Sequence, residues 1–243
     1  MEKVIGIVLG VVKHSDRHNL VSLYTPTRGR VTFISSAGGG GKSGRARQAR
    51  LMPLSVVSTD VRFNAGRELQ KLGAVAAERV WRSIYSNPAK TGAAMFVAEF
   101  LNRLLREAAP DPTMWRYILH ALEIFDATPG AAPNFHIALL VGMLHHAGIM
   151  PDVESERPAP GSVFDMRAGT FSADAPLHRD IVAWPESGFI PTLARITMRN
   201  MGRYRLTGAA RRRILAALVH YYAVHLPGVA GLRSTDILTE VFG

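Results

Sequence analysis

Hydrophobic residues in the first third of the chain recur with the two-residue period of β-structure. From Val4 to Lys13 both faces are apolar, with Ile5, Ile7, Leu9 and Val11 set against Val8 and Val12. Gly6 and Gly10 interrupt that run, and glycines inside a strand mark a bend or a close backbone approach, as at a barrel corner. Ser15-Asp16 opens a polar turn, after which Leu20 to Tyr24 resumes with strand formers. Thr25-Pro26-Thr27-Arg28-Gly29 reads as a tight hairpin connection, Pro fixing φ and Gly free to take φ > 0. Arg30 to Ser35 alternates, with Val31, Phe33 and Ser35 on one face. Leu54 to Asp60 and Glu68 to Glu78 predict two further strands, although the AVAAE ending the second could equally begin a helix. Ala37 to Arg50, AGGGGKSGRARQAR, has no hydrophobic period and predicts a mobile basic loop.

After Trp81 the period lengthens. Asn87-Pro88 is a helix start, and Ala93, Phe96, Val97, Phe100, Leu101, Leu104 and Leu105 follow the spacing of one helix face. Asp111-Pro112 repeats the signal for a helix to about Phe125. Phe135 to Ala147 is apolar on most sides, ends at Gly148 and is followed by Pro151. Pro151 to Trp184 is proline-rich without a helical period and predicts an irregular excursion, with a small hairpin around Phe164 to Phe171. Phe189 to Met201 and Thr207 to His225 predict helices, and Ser234 caps a short last one. Five strands in 80 residues with short turns fit an OB-type barrel. The expected class is therefore α+β in two domains: a five-stranded OB-type β-barrel over 1–80, and an α-helical domain over 81–243 interrupted at 151–184.

Charge sharpens this division. The chain carries a formal net charge of +10 over 243 residues. Residues 1–80 hold 13 Lys and Arg against 5 Asp and Glu, while 81–243 hold 16 against 14. A basic module joined to a nearly neutral one implies a polyanionic partner for the first. No cysteine is present, which excludes disulfides and thiolate metal sites and suits a reducing cytoplasm. No apolar run is long enough to span a bilayer, and Met1 to Lys13 lacks the basic start and cleavage site of a secretory signal.

Candidate chemistry is correspondingly narrow. The Gly-Lys-Ser at 41–43 invites a phosphate-loop reading, but that motif needs glycine where Ser36 stands, and an Arg-rich polar run follows. His145 and His146 are adjacent and diverge by about 100° on a helix, and His14 and His18 lie on a turn, so no metal site is expected. No nucleophile elbow is present, and nothing in the sequence points to an enzyme. What remains is the series Lys13, Arg17, Arg28, Arg30, Lys42, Arg45, Arg47, Arg50 and Arg62, able to follow a phosphate chain. Tyr24, Phe33 and Phe63 are the aromatic faces available for stacking, with Phe33 the one most suited to the core. Arg195, Arg199 and Arg203 would share one face of a helix, either extending that track or pairing with carboxylates of the bundle.

The order of these segments resembles the RecO family of bacterial recombination mediators. The similar pieces are GIVLGVVKHSDRHNLVSLYTPTRGRVTF, MPLSVV, AEFLNRLLRE, NFHIALLVGMLHHAGIMPD, FDMRAGTF, YYAVHLP and LRSTDILTEVF, in order over nearly the whole chain. The resemblance implies an N-terminal OB fold, binding of single- and double-stranded DNA, annealing of complementary strands, and help in loading recombinase onto strands coated by single-stranded-DNA-binding protein. It implies RecR and the acidic C-terminal tail of the single-strand-binding protein as partners, no cofactor, and a cytoplasmic, nucleoid-associated location. Arg103 and Arg106, beside the stripe from Phe96 to Leu105, are candidates to receive that tail's carboxylates. Many members carry a four-cysteine zinc site after the segment matching Gly148 to Pro151. Here Asp152 to Phe171 offers Ser155, Pro158, Phe164 and Phe171 instead, which resembles a zinc-free form stapled by aromatic packing. The alternative function is an adaptor whose helical domain binds a protein and whose basic barrel docks on protein or RNA.

Overall fold

The computed structural model describes residues 1–37, 41–67, 69–154 and 158–242. The chain divides into two compact units, residues 1–131 with 232–241, and residues 132–231 with the chain end from Phe242.

The first unit begins with strands β1 (Glu2–Lys13), β2 (His18–Thr25) and β3 (Gly29–Ser36), an antiparallel ribbon. Strand β4 (Val56–Val61) pairs with the first half of β1. Two short strands complete the sheet: β5 (Gln70–Lys71) runs parallel to β3, and β6 (Val75–Ala77) runs antiparallel to β4. The strand order is β5-β3-β2-β1-β4-β6, so the two edge strands are adjacent in sequence. Three residues, Leu72 to Ala74, join the two edge strands, and the sheet curls into an OB-like half-barrel. The single strand expected over Glu68 to Glu78 is thus two strands, with Glu68 itself outside the described residues and VAA extended rather than helical. Gly73 marks the break: a Cβ there would lie 2.4 Å from the Asp60 carbonyl oxygen, so only glycine lets the chain cross from one edge to the other.

Valines, leucines and Phe33 fill the barrel, among them Val4, Val8, Val21, Leu23, Val57 and Leu72. The opposite face of β1 is apolar for a different reason. Ile7 and Leu9 are buried, and helix α2 (Pro88–Leu104) packs against that strand. The register of β1 on β2 slips between Val8 and Gly10, a bulge at the place where glycine interrupts the apolar run.

Ala37 to Arg50 departs from the loop expectation. Gly38 to Gly40 lie outside the described residues, but Lys42–Arg50 form a helix, α1. No residue of α1 is buried, so hydrophobic periodicity has nothing to register. Side-chain tethers hold it instead. The Arg47 Nη2 donates to Ser35 Oγ at 3.0 Å and to the Gly73 carbonyl at 3.2 Å, and Arg50 Nη1 donates to the Val75 carbonyl at 3.3 Å. Alanine, arginine and glutamine favour the helix intrinsically, and Leu51 just beyond it anchors in the barrel core.

The same unit continues through α2 and α3 (Pro112–Ala127), capped by Asn87 and Asp111 with proline following each, as the sequence predicts. Most of α7 (Thr235–Phe242) returns to it: the Glu99 carboxylate accepts from the backbone N–H groups of Arg233 and Ser234 and from the Ser234 hydroxyl. Ser234 stands at the helix start but gives its hydroxyl hydrogen to Glu99.

The second unit contains α4 (Phe135–His146) and the long α6 (Gly208–His225), which pack on each other. Between them lie β7 (Val163–Asp165), β8 (Thr170–Ser172) and β9 (Ile181–Val182), forming a sheet of order β8-β7-β9. The helix expected from Phe189 to Met201 is absent as such. A 3₁₀ turn (Glu186–Phe189), a single helical turn α5 (Ile190–Leu193) and another 3₁₀ turn (Met201–Arg203) take its place. Asn200 explains the break: its Oδ1 accepts from Thr197 N and its Nδ2 donates to the Arg195 carbonyl, satisfying backbone groups that a helix would pair. Arg195, Arg199 and Arg203 therefore do not line one helix face.

Candidate nucleic-acid interface

Strand register separates the cations predicted for DNA into two groups. Lys13 stands opposite Asn19, and His18 opposite Ser36, so Lys13 and Arg17 lie with α1 at one end of the ribbon. Glu2 stands opposite Val61 and Thr25 opposite Gly29, which puts Arg28 and Arg62 at the other end. The twelve residues of β1 span about 35 Å at strand rise, so the series is not one continuous groove.

Partners divide the series again. At the first end Arg17, Lys42 and Arg45 are exposed and make no side-chain hydrogen bond or ion pair among the described residues. Lys13 has a 2.8 Å contact with Asp16, but both side chains are largely in water, where such a pair holds a cation loosely. Arg47 and Arg50 serve as the α1 tethers. At the other end Arg28 is engaged twice: its guanidinium pairs with the Glu2 carboxylate at 2.7 Å and lies over the Phe63 ring at 3.9 Å. The Arg28–Glu2 hydrogen bond lowers the pKa of Glu2 and raises that of Arg28. Arg62 is exposed, with no side-chain partner among the described residues.

Arg30 is different in kind. Its Nε donates to Asn102 Oδ1 at 2.7 Å and its Nη2 to Ser22 Oγ at 3.1 Å, tying β3 to α2. Burial, and then the charge of Arg106, lower its pKa, the mark of a cation withdrawn from water. Nearby, the Tyr24 hydroxyl donates to the Asp111 carbonyl, and burial pushes its pKa up to about 12. Gly29, at φ +62°, would bring a Cβ within 3.1 Å of the Ala108 carbonyl oxygen. The outer face of the ribbon near its hairpin is therefore covered by α2 and the segment after it. Tyr24 and Phe33 are fully buried and offer no stacking surface. The half-buried Phe63 already has a cation on its face.

Helix α2 treats its two candidates unequally. Arg103 contacts Glu99 at 3.4 Å, whereas Arg106 is exposed. Phe96, Val97, Phe100, Leu101 and Leu105 have no exposed surface, so the stripe beside these arginines is core rather than an open groove.

Sequence reasoning missed Asn19 and Gln48. With Val11, Val21 and Leu51 they line a cleft of about 180 Å³ between α1 and the ribbon. The signal that would have found it is α1 itself, since a loop builds no wall. Buried Lys90 was also unforeseen. Its ammonium donates to the carbonyls of Phe125, Asp126 and Thr128 and to the Ser83 hydroxyl, closing the end of α3.

In the second unit the excursion is stapled by Phe164 against Phe171, ring centroids 5.3 Å apart, and by Phe164 against Tyr221 at 5.9 Å. Its residues do not fit the zinc ion of other members: the chain has no cysteine, and no cluster of three His, Asp or Glu among the described residues could hold a metal. Ser155 lies outside the described residues. No described helix is long and apolar enough to cross a membrane.

Comparison with known proteins agrees over the full length. Residues 1–79 match the family model described as recombination protein O N terminal, and residues 85–235 match the one described as recombination protein O C terminal. A protein of Phocaeicola vulgatus named DNA repair protein RecO is 30% identical, covering 100% of this chain and 99% of its own. Proteins of the same name from Bacteroides fragilis and Porphyromonas gingivalis are 29% and 30% identical, covering 100% and 98% of this chain and 99% and 97% of their own.

Proposed function

Because the chain belongs to the recombination protein O (RecO) family, we propose that it acts in DNA repair by homologous recombination as a non-enzymatic mediator. In this reading the barrel module of residues 1–80 binds single- and double-stranded DNA and anneals complementary strands. With RecR, the protein helps load recombinase onto strands coated by single-strand-binding protein. Arg106, and Arg103 if it leaves Glu99, receive carboxylates of that protein's tail. The protein works in the cytoplasm, on the nucleoid.

The observation that supports DNA as ligand is the set of cations without a partner among the described residues, Arg17, Lys42 and Arg45 with the loosely held Lys13, gathered at one end of the barrel. Charges without protein partners lose nothing internal when they take up phosphates. Two strands bound against them are screened from each other, which speeds pairing. The test is a titration with labelled single-stranded oligonucleotide at two salt concentrations, alongside an annealing assay with complementary strands. Salt-sensitive binding and accelerated annealing are expected. Weak, salt-insensitive binding would instead favour the adaptor reading.

A further inference from the structure

We infer that the cleft between α1 and the ribbon accepts one unstacked nucleobase of a bound single strand, a reading that rests on DNA being the ligand of the neighbouring cations. The register builds the site in two rows. Val11, Val21 and Phe33 stand side by side across β1, β2 and β3, Val21 and Phe33 belonging to the barrel core. The next row toward the turn, Lys13, Asn19 and Ser35, points to the same face because side chains alternate along a strand. An apolar floor thus gives way to a polar mouth, and α1 closes one side with Gln48 and with Leu51 beyond its end.

Size and chemistry select the ligand. At about 180 Å³ the cleft is too small for a drug-sized molecule and suits a single ring system. The carboxamides of Asn19 and Gln48 make no hydrogen bond among the described residues, so each keeps a donor and an acceptor available. That pairing of groups matches the edge of a nucleobase, while Val11, Val21 and Leu51 suit its apolar face. The wall is tethered to the sheet, since Arg47 is held by Ser35 and Gly73. Lys13 lies opposite Asn19, and Arg17, Lys42 and Arg45 stand on the adjoining turn and helix, where the phosphates flanking a docked base would pass. A base in an intact duplex cannot enter without unpairing, so the cleft favours single strands.

The experiment compares, on the full chain, an oligothymidylate with an abasic strand of equal length and equal phosphate count, each at two salt concentrations. Wild-type protein is expected to bind the base-bearing strand about tenfold more tightly, the effect of one well-held base. Asn19→Leu combined with Gln48→Leu removes the polar edge, and Gly44→Leu fills the cleft from the helix side. Both should lose the preference while retaining the salt slope and the melting temperature. Equal affinity of wild-type protein for the two strands overturns the inference, as does a preference that survives both substitutions. The wild-type comparison decides even if a variant melts early. If neither strand binds at either salt concentration, DNA binding itself fails, and that outcome is distinct from equal binding of both.

Discussion

The division of cations into free and committed makes a quantitative prediction. Replacing Arg17, Lys42 and Arg45 together by glutamine removes three charges that have no protein partner among the described residues. Each phosphate contact on a single strand contributes roughly −0.7 to the slope of log affinity against log salt, so the triple variant should flatten that slope by about 2. Affinity should then fall roughly 30-fold at 200 mM salt and several hundred-fold at 50 mM, the gap widening as salt is lowered. Melting should not change, because no hydrogen bond is lost. Arg30→Gln is the contrasting perturbation. It breaks contacts to Asn102 and Ser22 that join β3 to α2, costing roughly 2 kcal/mol. That corresponds to about 4–8 °C in melting temperature, with the salt slope little altered. Fluorescence anisotropy over a salt series, with calorimetric melting of each variant, measures both quantities. Parallel salt slopes for wild type and triple variant would refute the assignment of these three as phosphate contacts. A flattened slope with unchanged melting for Arg30→Gln would move the DNA track to the covered face of the ribbon.

Lys90→Met leaves three carbonyls and a hydroxyl without their donor, and a buried acceptor left unsatisfied costs about 1–3 kcal/mol; a melting temperature within 1 °C of wild type, or above it, would contradict that role. His136 is buried on α4, and burial, aided by the charge of Arg211, holds its pKa down at about 3. The unfolded chain therefore binds a proton below pH 6.5 that the folded one does not, so stability present above 6.5 is lost as pH falls toward 3. Urea denaturation should show about 2 kcal/mol less stability from this group at pH 5 than at pH 7.5, a difference that His136→Leu abolishes. Phe164→Ala should cost about 3–5 kcal/mol in the second unit, whereas a chelator should leave melting unchanged; a marked chelator effect would mean a metal holds the excursion.

The elements with strong local signals were legible in the sequence. Asn87-Pro88 and Asp111-Pro112 start helices because each side chain caps two backbone N–H groups and proline needs none. Gly148 ends α4 at φ +69°. The ribbon was readable from its alternation, and the hairpin of the excursion from Phe164 and Phe171. Failures came where stability is not carried by an apolar period. Helix α1 has no buried residue, and Phe189 to Met201 has the composition of a helix but is broken by the side chain of Asn200. The fifth strand was visible as a β-segment, but its division between two sheet edges depends on the approach of Gly73 to Asp60, which lies at the far end of β4.

The candidate site illustrates the same limit at the level of single residues. Arg28, Arg30, Arg45 and Arg47 are alike in sequence terms, all arginine within one basic module, yet their side chains meet a carboxylate and a ring, a half-buried amide, water, and a backbone carbonyl. Net charge reports only their sum. A guanidinium already hydrogen-bonded to protein must give up those bonds before it can take a phosphate, so its contribution to DNA affinity is a difference of two similar terms. A free one contributes the phosphate term alone, together with the release of counterions. The basic segment from Lys42 to Arg50 follows this division along a single helix: Lys42 and Arg45 in its first half have no side-chain partner among the described residues, while Arg47 and Arg50 in its last turn bond to β3, β6 and the Gly73 carbonyl between the edge strands. The tethered half fixes the orientation of the free half. Cutting the tethers with Arg47→Gln and Arg50→Gln should therefore weaken DNA binding without removing a phosphate contact. The salt slope would stay near the wild-type value while affinity falls at every salt concentration, a parallel shift that separates positioning from contact. A flattened slope instead would make Arg47 and Arg50 phosphate ligands in their own right.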